Sequence, residues 1–241
     1  MADGRSARVW ARIIATGEDG SPVSLAALCR AAVGALAVDG ASVTAVSGPA
    51  VSEPLHATDE LSARLEDLLV MTGEGPGTED FLAGSPMLIP DLEPVIERWP
   101  GFAPAAIMAG ARALFAFPLQ TGVIRAGTLS LYRAKPGPLA PQQLADALVF
   151  ADIALLLMLD AASGISGLAG YEPLGSLSDS RAEVYQATGM VSVQLGGSME
   201  EAFARLRAHA FATGRPLGDV AGDVVGRLLR FDPDPDPGLA M

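Results

Sequence analysis

One cysteine, one lysine and two histidines are all that this 241-residue chain carries of three residue types on which much protein chemistry depends. A lone cysteine excludes a disulfide within the chain and any multi-thiolate metal site. Cys29 lies in an apolar helical pattern, where a thiol behaves as a small hydrophobe and a poor nucleophile. His56 and His209 are far apart in the sequence, which removes support for a two-histidine metal site or a Ser/His/Asp triad. The chain is therefore expected to have no catalytic residues, no metal and no cofactor. Residues 1–20 lack the apolar core of a signal peptide, and the most apolar run, Ala147–Leu159, is short and broken by Asp152. The expectation is a cytoplasmic protein with no membrane partner. Gly73–Gly77 lacks the Lys and Ser/Thr of a phosphate-binding loop and reads as a turn.

Half of the residues are apolar, enough for one large or two ordinary domains. The formal net charge of −12 works against nonspecific attraction to nucleic acid. That charge is unevenly spread. Between Ser178 and Phe231 six arginines face six acidic residues, so this stretch is formally neutral and the excess lies elsewhere.

From residue 21 to 160 the pattern mixes helix and strand. A helix is expected from Ser21-Pro22 to about Val38, with Leu25, Leu28, Ala32 and Leu36 on one side, and another over Glu60–Met71. Ala41–Ser47 alternates as a strand does, and Met87–Ile89 is a short strand candidate after a run of loop signals. The best hairpin signal joins Ala113–Gln120 to Ala126–Arg133 across Thr121-Gly122. A long helix over Pro141–Leu159 follows, apolar on nearly every side and suited to pairing two chains. The class is α+β: a sheet with helices at the two ends of the segment. Phe115, Phe117 and Tyr132 are candidates for a ligand pocket, with core packing as the competing role. Ser163–Gly170, rich in Gly and Ser, reads as a flexible linker, and Asp232–Gly238 as a disordered acidic tail.

Ser178 to Phe231 reads as three short helices. Ser180 with Glu183 suggests the start of the first, which ends at Gly196-Gly197. Val184, Ala187, Val191 and Leu195 give it an apolar stripe, and Arg181, Tyr185, Thr188 and Ser192 a polar one. Ser198 and Glu201 form a capping box for the second helix, and Gly214 with Pro216 closes it. The third opens near Asp219 and is expected to bury Val220, Val224 and Leu228.

The fragments A-x-G-x-V within AEVYQATGMVSVQ, S-x-E-E-A-x-x-x-L-R-x-x-A, and R-P-L-x-D-V-A together resemble the ANTAR domain of bacterial antitermination regulators. GEGP at Gly73–Pro76, SPMLIPDL, and FAFPLQTGVIRAGTLSLYR with its following helix resemble a GAF domain. The whole resembles the GAF-plus-ANTAR regulators of actinobacteria. The expected divisions are an extension at 1–20, a GAF-like sensor at 21–160, a linker at 161–177, an RNA-binding module at 178–231 and a tail at 232–241. The resemblance implies a non-enzymatic regulator that binds hairpins in nascent transcripts. It also implies a sensor that dimerises or holds an unidentified small ligand. Gly77 stands where many relatives carry Cys, so thiol sensing at that position is absent. The RNA-contact candidates are Arg181, Tyr185, Thr188, Gly189, Ser192, Arg205, Arg207 and His209. The competing reading is a protein-interaction adaptor that never touches RNA.

Overall fold

The computed structural model describes residues 2–17, 23–46, 52–122, 124–163 and 175–232. Most of the expected linker and the tail beyond Asp232 lie outside them. The chain divides into two compact units, residues 1–172 and residues 173–241.

The first unit is built on an antiparallel five-stranded sheet, counted among the described residues. Its strands are β1 (Gly40–Val46), β2 (Ser52–Ala57), β3 (Met87–Ile89), β4 (Ala113–Thr121) and β5 (Ile124–Arg133), in the spatial order β2-β1-β5-β4-β3. The predicted β4–β5 hairpin is present, with Leu114 opposite Tyr132 and Phe117 opposite Leu129. β5 also pairs with β1, where Gly127 faces Ala45. A Cβ at 127 would run into the Thr44 carbonyl, so only glycine lets the two backbones meet there.

Because side chains alternate across a strand, β4 feeds two cores. Ala113, Phe115, Phe117 and Leu119 join a buried cluster with α1 (Ala2–Thr16), α2 (Leu25–Leu36) and α6 (Pro141–Ser163). Leu114 and Tyr132 join a second cluster with Leu65 and Leu68 of α3 (Glu60–Thr72), with Trp99 and Phe102, and with α5 (Ala103–Ala109). The remaining helix of this unit is α4 (Pro76–Ala83), and Glu93–Val95 forms a single 3-10 turn.

Several boundaries differ from the sequence reading. Helix α2 starts later than expected because Ser24 is its cap, the hydroxyl accepting the Ala27 N–H at 3.2 Å, and it stops at Leu36 because Ala37 turns left-handed. Residues 2–16, set apart as an extension, form α1, and its Val9 and Ile13 are buried in the first core. Arg5 ties that helix to α6 through Asp146 at 2.6 Å.

The second unit holds α7 (Gly175–Leu195), α8 (Met199–Thr213) and α9 (Leu217–Val225), packed on one another through Ala187, Val191, Ala202, Leu206, Ala210, Val220 and Val224. Helix α7 begins at Gly175, so Ser180 falls inside it and does not cap it. Its side chains at 175–182 lie outside the described residues. The α8 capping box is formed as predicted: the Glu201 N–H reaches Ser198 Oγ at 3.2 Å, and the Ser198 N–H reaches Glu201 Oε2 at 2.7 Å. Helix α9 starts after Pro216 and ends at Val225, which leaves Leu228 beyond it and exposed, not buried. Among the described residues no helix is long and apolar enough to cross a membrane.

Candidate nucleic-acid interface

The polar residues expected to meet RNA do not form one continuous face. On α7, Tyr185 is exposed, and Gly189 one turn later has open space where a side chain would project. Thr188 is buried, and its hydroxyl donates to the Val184 carbonyl at 2.6 Å, which turns it inward. Ser192 is half-buried and donates to the Gly197 carbonyl at 2.7 Å, so it fastens the α7–α8 turn. Arg181 lies on α7 with its side chain outside the described residues.

Helix α8 separates the other candidates. Its buried stripe is Ala202, Leu206 and Ala210. Arg205 and Arg207, two residues apart, stand about 160° apart around the helix and flank that stripe on opposite sides. His209 shares the Arg205 side. Its imidazole meets the Phe231 ring edge-on with centroids 5.4 Å apart, and the Phe231 N–H donates to Gln194 Oε1 at 2.9 Å. The chain after α9 is thus laid back against α7 and α8. On the other side the Arg207 guanidinium lies over the Phe203 ring, 5.6 Å from its centroid, and Phe211 follows one turn on with 57% of its surface exposed. Phe211 was not among the sequence candidates. Its spacing of four from Arg207 was the available signal, overlooked because an aromatic at helical spacing reads first as core.

Acidic groups of this unit are partly engaged. Asp223 pairs with Arg215 at 2.8 Å. The backbone N–H and hydroxyl of Ser198 hold the Glu201 carboxyl below the usual carboxylate range.

In the first unit, Phe115 and Tyr132 are both among the residues lining one small cavity, and Phe117 is not. The Phe115 and Phe117 rings pack in the α2–α6 core, while Tyr132 faces the opposite side of the sheet. On that side the cavity, about 10 Å³ with room for one water-sized occupant, lies beneath α3 and the start of α4. Ser42, Glu66, Gly77, Ser130 and Tyr132 are among its lining residues. Glu66 is buried and accepts the Ser42 and Thr44 hydroxyls, each at 2.7 Å. Asp59 caps α3 and accepts the Tyr132 phenol at 3.2 Å, and burial together with that carboxylate pushes the phenol up to about 12. Among the described residues no cluster of His, Cys, Asp or Glu is arranged to hold a metal ion.

Comparison with known proteins places these two units. Residues 176–225 match the ANTAR domain family. The fold of the GAF domain from a Coxiella burnetii phosphoenolpyruvate-protein phosphotransferase superposes with a TM-score of 0.51 at 14% identity, covering 68% of this chain and 97% of that one. The corresponding Acinetobacter domain gives 0.48 at 12% identity, with the same shares covered. A search of curated protein sequences returned no match. The chain thus joins a first domain of GAF fold to an ANTAR domain at residues 176–225.

Proposed function

We propose that this protein is a transcription antitermination regulator whose ANTAR domain binds hairpins in nascent RNA under the control of its GAF-like domain. ANTAR and GAF domains are regulatory and not catalytic. The observation that carries the reading is the ANTAR match over the compact three-helix unit, whose residues 178–231 are formally neutral in a chain of net charge −12. Arg205, Arg207, Tyr185 and the open backbone at Gly189 supply cationic, planar and close-approach groups of the kinds that single-stranded loops use.

Control is proposed to run through a homodimer. On α6 the exposed Leu148, Leu156 and Leu159 share one face with Asp152, an apolar stripe that a second copy would cover. The cavity under α3 is the place for a sensed ligand, and anything larger than water requires α3 or α4 to move.

The test is binding of the full chain and of an Arg205→Ala/Arg207→Ala variant to a pool of hairpin RNAs over a range of salt. Selective binding that falls steeply with salt and is lost in the variant, with helix content unchanged, supports the reading. A folded dimer that binds no hairpin favours the adaptor.

A further inference from the structure

We propose that the Phe203–Arg207–Phe211 stripe of α8 is a stacking platform for an unpaired RNA base, with Phe211 as the contact that reads the loop. The inference rests on the RNA reading above and names the surface that distinguishes a loop from a stem.

Three residues at successive intervals of four share one side of a helix. Here they alternate aromatic, guanidinium, aromatic. Phe203 is half-buried and anchors the Arg207 guanidinium over its face, which orients a planar cation. Phe211 stands one turn further with 57% of its surface in water, a costly placement for a residue type that normally buries about 150 Å² or more. No other described aromatic of this unit combines that exposure with an arginine one turn away. Tyr185 is less exposed and lies on α7, while Phe231 is engaged by His209 and Gln194. Bases present flat π-faces only where they are unpaired, and aromatic rings with arginine planes hold them by stacking. The guanidinium beside the ring is a cation, which favours a nucleic acid over an apolar protein segment. Arg205 lies on the far side of the buried stripe, the side that His209 shares, and is suited to phosphate.

The experiment uses the full chain and one hairpin selected from a pool with randomised loops, carrying 2-aminopurine at each loop position in turn. Phe211→Ala and Phe211→Leu are compared with Phe211→Trp and Arg207→Lys. The expected result is affinity lower by about 5- to 150-fold for the first two, the range for losing one stacked base. Quenching of one loop fluorophore is lost with it, and the salt dependence is unchanged because no cation was removed. Phe211→Trp retains both, and Arg207→Lys keeps the salt dependence while weakening the quench. Phe211 is exposed, so melting of the variants follows the wild type. Wild-type affinity and quenching in Phe211→Ala and Phe211→Leu would overturn the platform and leave RNA binding standing. Reduced affinity with the quench intact would also overturn it. A wild-type chain that binds no hairpin removes the function reading as well.

Discussion

Ser198 and Glu201 each satisfy a backbone N–H of the other at the start of α8. Replacing Ser198 with Ala leaves the Glu201 N–H without its acceptor and is expected to cost about 1 kcal/mol of the second unit's stability, read from thermal melting followed by circular dichroism. The Glu201 carboxyl is held below its ordinary 4.5, so its share of the cap is present above that pH and is lost as pH falls through the lower folded value. Gly189 gives a prediction of the opposite sign. It sits inside α7 with nothing near its missing Cβ, so Gly189→Ala should stabilise the helix by roughly 0.5–1 kcal/mol. If RNA approaches the backbone there, the same substitution weakens hairpin binding. More stable and equally tight binding would place the RNA elsewhere.

Among the elements, the β4–β5 hairpin was legible because Thr121-Gly122 separates two apolar runs of strand length. Strand β2 was not. It carries Pro54, and its pairing with β1 skips Leu55 between Val43 and Thr44, a bulge that breaks the alternation a reader looks for. Helix α1 was hidden by its many polar residues, since among its described side chains only Val9 and Ile13 are buried. On α7 the spacing correctly grouped Ala187 and Val191 but assigned Thr188 to the polar stripe. Its hydroxyl can turn back to the Val184 carbonyl, and that lets a polar residue sit inside the core. Helix α6 carries the clearest prediction at this scale. Partial burial raises the Asp152 carboxyl above its ordinary 3.8, although much of its surface remains exposed among leucines. A group whose pKa rises holds its proton more tightly in the buried setting, so lowering the pH toward that value should strengthen pairing of two α6 faces. Sedimentation at pH 7 and pH 5 should show more dimer at the lower pH, and Asp152→Asn should remove the difference. A dimer insensitive to both would exclude this face.

For the whole molecule, two compact units joined by a Gly- and Ser-rich stretch predict that a protease cutting at small residues releases fragments divided near 163–170. First cleavage within the described helices or strands of either unit would contradict that division. The two units also differ in a way that gives the experimenter a clock. Cys29, the chain's one thiol, is fully buried in the first unit's core, and burial pushes it up to about 12. It can therefore meet a maleimide only when that core opens. The rate of alkylation at neutral pH measures how often the first domain breathes, with no signal from the second. A ligand that tightens the first domain would slow the label, so mass spectrometry of the untouched wild-type chain becomes a screen for the missing signal.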